Sequence, residues 1–222
     1  TSGGEYVLTS TNDGPVTPTT TLIRKYSNYG TAQIDPVQVA DVTLFAQRGK
    51  RKIREFKFVG DVNTGGYSAP DMTILAEHVT EGGIVQMAFQ QEPDSVVWCV
   101  RNDGTLLGLT YRREEEVVAW HKHIIGGAFS GGQAVVESIT TLPTDTGEDE
   151  LFMIVKRTIN SVTKRYIEKL KLFDFGDSTE TAFFVDSGLS YSGGATTTLS
   201  GLYHLEGEAL QVLGNGATHP NK

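Results

Sequence analysis

The sequence predicts an all-β protein: a partial β-propeller of about three antiparallel blades with one short helix, followed by a C-terminal β segment. Three observations predict it. Threonine, serine and 25 glycines are spread along 222 residues with no long helix-forming run, which favours strands and turns. Short apolar runs alternate with turn residues such as Asp103-Gly104, a strong hairpin signal because both positions tolerate positive φ. Above all, one pattern recurs three times: an acidic residue, an apolar run, a basic residue, a turn and an amphipathic strand.

The first unit reads Asp41-Val-Thr-Leu-Phe-Ala-Gln-Arg48, turns at Gly49-Lys50 and resumes as Lys52-Ile-Arg-Glu-Phe-Lys-Phe-Val59. The second reads Asp94-Ser-Val-Val-Trp-Cys-Val-Arg101 and resumes as Thr105-Leu-Leu-Gly-Leu-Thr-Tyr111. The third reads Glu150-Leu-Phe-Met-Ile-Val-Lys156, breaks around Asn160-Ser161 and resumes as Lys164-Arg-Tyr-Ile-Glu-Lys-Leu170. The periods are about 53 and 55 residues, within the range of propeller blades. A two-sheet sandwich would also give many short strands, but would leave the repeat unexplained.

The first strand of each hairpin is apolar on both faces, so it belongs inside a sheet covered on each side. The second strands carry more charge and are expected further outward. A further strand precedes each hairpin, at residues 36–40, 84–89 and 134–142, and another follows the second hairpin at 117–124. The spacing predicts a helix over residues 68–80, with Pro70 in its first turn and Gly82-Gly83 as its stop; Met72, Leu75, Ala76 and Val79 would form its apolar stripe, packed on a blade edge. Glycine-rich Gly126-Gly-Ala-Phe-Ser-Gly-Gly132 reads as a flexible link between blades, with no phosphate-loop ending.

These elements divide the chain into three parts. Residues 1–35 are the end of a preceding blade and its connection, 36–175 the three propeller-like repeats, and 176–222 the start of a small inserted β module with strands at 182–185 and 208–213. Three blades do not close a ring, since propellers use four to eight. The chain is therefore expected to be part of a larger polypeptide, or to be completed by other chains.

The net charge is −8 and the pI about 5.1, which offers no basic face for a phosphate backbone. An acidic surface would instead let DNA slide past without sticking. No run of about 18 apolar residues exists to predict a transmembrane helix. The single cysteine, Cys99, lies inside an apolar run and reads as a core residue.

Chemistry-bearing clusters are few. His121 and His123 stand two apart on a strand, share a face and could share a metal; without a third ligand nearby, a polar edge strand is the better reading. Glu114-Glu115-Glu116 reads as a solvated turn, and Asp145-Thr-Gly-Glu-Asp-Glu150 as a loop that departs from the helical calcium-loop pattern. Ser130 and Ser138 sit in no nucleophile motif, and His78, His204 and His219 are isolated. No catalytic, cofactor-binding or metal residue is assigned, and no enzyme is predicted. An alternative is a ligand-binding or glycan-processing propeller in which Trp98, Trp120 and Tyr111 stack on sugars, although their apolar strands favour a core role.

Several phrases carry a family resemblance. Tyr67-Ser-Ala-Pro-Asp-Met-Thr-Ile-Leu-Ala-Glu-His78, the run from Met87-Ala-Phe-Gln-Gln-Glu-Pro to Gly108-Leu-Thr-Tyr111, and Val117-Val-Ala-Trp-His-Lys-His123 resemble the tail-nozzle or tail-tube proteins of short-tailed bacteriophages and related prophages, also described as packaged-DNA stabilisation proteins. Gly3-Gly-Glu-Tyr-Val-Leu8 and Leu44-Phe-Ala-Gln-Arg-Gly-Lys-Arg51 fit the same family, so the likeness covers roughly residues 1–175. It implies a six-bladed propeller in a longer chain. Copies would form a ring below the portal and adaptor, in contact with portal-adaptor and tail-fibre proteins. The ring's channel would pass DNA at ejection without specific binding. The location implied is the virion tail, assembled in the host cytoplasm, with no cofactor, no catalytic residue and no membrane span. The stretch His204-Leu-Glu-Gly-Glu-Ala-Leu-Gln-Val-Leu-Gly-Asn-Gly216 resembles the start of a β module inserted in such proteins.

Overall fold

A computed structural model describes residues 1–11, 14–60, 66–171 and 185–214, together with the backbone of 217–219. Strands dominate. An N-terminal hairpin pairs β1 (Glu5–Ser10) with β2 (Thr21–Ser27). Three antiparallel meanders follow. Sheet I contains β3 (Val37–Val39), β4 (Val42–Ala46), β5 (Ile53–Val59) and β6 (Gly66–Ser68), in that order. Sheet II contains β7 (Ile84–Gln90), β8 (Val96–Arg101), β9 (Leu106–Arg112) and β10 (Val117–His123). A short hairpin, β11 (Ala128–Phe129) with β12 (Gly132–Gln133), leads into sheet III, made of β13 (Val135–Pro143), β14 (Asp149–Ile159) and β15 (Val162–Lys169). A 3-10 turn at Tyr203–Leu205 and the pair β16 (Val212–Gly214) and β17 (Ala217–His219) complete the described chain.

Strand periodicity builds the core in two layers. Along β8 successive side chains point to opposite faces, and both faces are apolar. Val97 and Cys99 join Leu107, Leu109 and Met87 against Val42, Leu44 and Ile53 of sheet I. Val96, Trp98 and Val100 meet Val136, Ile139, Leu151, Met153 and Val155 of sheet III. Sheet II is therefore the middle of a face-to-face stack, and all of β8 except Arg101 is buried.

The first strands of successive sheets also approach one another. β3 contacts β7, and β7 contacts β13. Gln86, at a bulge in β7, acts there as a surrogate strand residue: its Nε2 donates to Ile139 O at 2.7 Å and its Oε1 accepts from Ile139 N at 3.0 Å. Thr141 Oγ1 adds a bond to Phe89 O at 2.7 Å. Gly104 (φ +83°) turns the β8–β9 hairpin against Val135, where a Cβ would collide with backbone, and its carbonyl accepts Val136 N at 2.9 Å.

Three expectations are corrected. Residues 68–80 form no helix. Asp71 caps this segment locally, accepting Thr73 N at 2.9 Å and Thr73 Oγ1 at 2.5 Å, while Lys52 holds its other oxygen at 2.8 Å. Met72 N then pairs with Ile53 O at 2.9 Å, and Met72 O accepts Trp120 Nε1 at 2.9 Å. The carbonyl a helix would have used is thus spent on sheet II, and the chain proceeds through four-residue turns closed by Ala76 N→Thr73 O and Val79 N→Ala76 O. Met72, Ala76 and Val79 still face the core, but Leu75 is 93% exposed.

Second, the charged second strands are not uniformly outward. β15 is largely exposed, whereas β9 is buried along most of its length because β10 flanks it. Third, the segment read as a flexible link contains the β11–β12 hairpin, pinned by Ala134 N→Gly127 O at 3.0 Å and by Arg157 Nε→Gly126 O at 2.8 Å. Of the strands expected in the C-terminal part, 182–184 lies outside the described residues, and 208–213 is reduced to β16.

Candidate functional site

The histidine pair is where the sequence and the geometry meet. β10 is the edge of sheet II, paired to β9 so that His121 faces Gly108 and His123 faces Leu106. Both rings lie on the side of Trp98, at centroid distances of 5.5 and 5.4 Å. The absence of a side chain at Gly108 is what admits the His121 ring, since a Cβ there would overlap it.

His121 Nδ1 and His123 Nε2 are 2.9 Å apart, and His123 Nδ1 meets Asp186 Oδ1 at 2.6 Å. A carboxylate on Nδ1 keeps a proton on that nitrogen, which leaves Nε2 of neutral His123 to accept from His121 Nδ1–H. Burial, reinforced by the neighbouring His123, pushes the His121 pKa down to about 4. The pair is thus a hydrogen-bonded relay rather than the solvent-reaching polar edge the spacing implies. Among the described residues no group of three His, Cys, Asp or Glu side chains could hold a metal ion.

A second feature lies at the far end of the sheets. An open groove of about 850 Å³ runs between the β3–β4 turn of sheet I and the β7–β8 and β9–β10 turns of sheet II. Its two arginines are committed: Arg113 grips Asp41 with contacts of 2.9 and 3.0 Å, and Arg112 pairs with Asp94 at 2.7 Å. Glu92, Glu114 and Glu115 line the same groove and have no ion-pair partner among the described residues. Behind it, Tyr111 OH donates to the buried Glu55 Oε2 at 2.6 Å, and Lys57 neutralises Glu55 Oε1 at 2.8 Å. Burial and the Glu55 bond raise the Tyr111 pKa. Among the described residues the groove carries neither a nucleophile–base pair nor an unpaired cation, so its chemistry there is that of an acidic surface.

The remaining sequence candidates fall into structural roles. Glu114, Glu115 and Glu116 form the exposed β9–β10 turn. In the 145–150 loop, Asp149 Oδ2 accepts Gln91 N at 2.7 Å, clamping sheet III to the β7–β8 turn. Ser130 and Ser138 meet no histidine, and His78 joins no cluster among the described residues. His204 packs on Tyr166 at 6.2 Å between centroids, and the side chain of His219 lies outside the described residues. Cys99 is fully buried and its thiol pKa is pushed up to about 12, which leaves it unreactive.

The aromatic trio considered for sugar stacking is occupied elsewhere. Trp98 and Tyr111 are buried, and Trp120 is tied to Met72 O. Sequence reasoning missed two polar centres, Arg157 and Asp186. Arg157 is 1% exposed in side chain, ion-paired to Glu168 through both nitrogens, and a lone arginine on a strand gave no sign of it. Among the described residues no helix is long and apolar enough to cross a membrane. No known protein family and no curated protein matches the chain.

Proposed function

We infer that the chain is a structural component of a DNA-conducting assembly, a tail tube or nozzle of a short-tailed phage or prophage, and that it turns over no substrate. One observation carries this reading: three small antiparallel meanders stack face to face while their first strands β3, β7 and β13 adjoin. Sheets arranged radially around an axis need that geometry. The acidic turns at one end of the stack, with Arg112 and Arg113 already neutralised, support a surface past which DNA moves without adhering. The family phrases in the sequence point the same way.

The test is solution mass by light scattering across a concentration series, on this chain and on any longer polypeptide that contains it, beside duplex-DNA binding at low salt. The reading expects a defined ring-sized oligomer in the longer polypeptide and no saturable DNA binding. Monomers at every concentration, or tight DNA binding by the chain, would contradict it.

A further inference from the structure

We propose that the Asp186–His123–His121 relay is an acid-released latch that holds the segment from Val185 to Glu206 across the ends of sheets II and III. The attachment of this segment is almost wholly polar. Asp186 Oδ1 meets His123 Nδ1 and its Oδ2 accepts Ile124 N at 3.3 Å. Ser187 Oγ accepts Gly126 N at 3.2 Å and lies 3.4 Å from Arg157 Nη2. Further along, Tyr203 O accepts Tyr166 OH at 3.2 Å, and Glu206 Oε1 accepts Asn160 Nδ2 at 3.0 Å. Leu205 is the one buried residue of the segment. A segment with so little apolar burial opens at lower free energy than the sheets beneath it.

Protons decide whether the relay holds. With both rings neutral, His121 donates to His123, which donates to Asp186. With both nitrogens of both rings protonated, N–H faces N–H across the 2.9 Å gap, two positive rings with no acceptor between them. The rings must part, and the ring that swings away is the one that carries Asp186.

The groups around the pair offer no escape. Trp98 of β8 and Gly108 of β9 bring no charge, Lys122 of β10 points to the other face, and Asp186 is the facing carboxylate from the segment. His123 and Asp186 are the charges that act on His121, while Arg157 of β14 and Glu168 of β15 are paired with each other beside Ser187 and His204. The depressed proton affinity of His121 sets release near pH 4.

The amide hydrogens of Ile124 and Gly126 report the latch directly, because Asp186 and Ser187 are their acceptors. Their exchange, followed by NMR and corrected for the intrinsic effect of pH, should rise about tenfold between about pH 6 and about pH 3.5 relative to amides of β8 and β9. His121→Gln keeps an acceptor for His123 and takes no second proton, so it should stay protected over the same range. Asp186→Asn, on the outer segment, should raise exchange at both amides already at pH 7. Exchange that rises in step with β8 and β9, that does not rise, or that is the same in His121→Gln as in the wild type would overturn the latch. So would full protection in Asp186→Asn, a variant that leaves the sheets untouched.

Discussion

β8 of sheet II and β14 of sheet III carry the same kind of sequence, yet the fold treats them differently. Val97 and Cys99 on one face of β8, and Trp98 and Val100 on the other, are all at most 1% exposed. In β14 the inward Leu151, Met153 and Val155 are also buried, but the outward Ile154 is 38% exposed and its cross-strand neighbour Ile167 is 79% exposed. A run apolar on both faces therefore encodes a strand meant for cover on both sides. Sheet II receives both covers from its neighbours in the chain. On the outer face of sheet III the β11–β12 hairpin reaches only Lys156 and Thr158, through Phe129 and Ser130, and ion pairs fringe the rest, Glu137 with Lys156 and Arg165, and Glu150 with Lys169.

The largest break of this contrast is in the middle layer. Trp98→Ala removes a buried indole that also donates to Gln90 Oε1 at 2.8 Å, and should cost about 3–5 kcal/mol in chemical denaturation. A cost no greater than that of Ile167→Ala would remove the distinction between the two sheets. Arg157→Ala comes next, at about 3 kcal/mol, because it strands the Glu168 carboxylate and the Gly126 carbonyl; an unfolding midpoint unchanged from the wild type would show the pair to be dispensable.

Smaller effects sharpen the comparison. Tyr111→Phe deprives the buried Glu55 of its hydroxyl donor and should cost about 1–2 kcal/mol, read from the same denaturation midpoints. His121 gives stability a pH dependence of known sign. Its folded pKa, about 4, lies below the ordinary 6.5, so the unfolded chain takes the proton first. Stability is full above about pH 6.5 and falls as pH drops towards 4, by about 1–2 kcal/mol once partial exposure is allowed for. His121→Gln should flatten that slope, and an unchanged slope would assign it to other groups. Smallest of all, Ile167→Ala on the open face should shift stability by less than about 0.5 kcal/mol.

Apart from β6, which the expected helix overlapped at Ser68, the strands of the stack were legible because alternation, turn residues and the repeat agree along them. The false helix shows where such reading stops. Met72, Ala76 and Val79 have helical spacing, but Asp71 two residues before Thr73 favours a local turn, and the partners that fix it, Ile53 and Trp120, are distant in sequence. The histidine pair was visible as a same-face pair on an edge strand. Its third member was not, since Asp186 lies 63 residues from His123 and nothing in its neighbourhood marks it. Buried Arg157 was hidden for the same reason: its partners, Glu168 and Gly126 O, are assembled by the fold.

The central claim is that sheet II, covered on both faces, makes three sheets one body. Equilibrium unfolding followed by two probes tests it most directly. Trp98 and Trp120, the two tryptophans, both sit in sheet II, whereas far-ultraviolet circular dichroism reports every sheet. The account predicts coincident transitions by fluorescence and dichroism. A loss of sheet signal completed while the tryptophans remain native would contradict it.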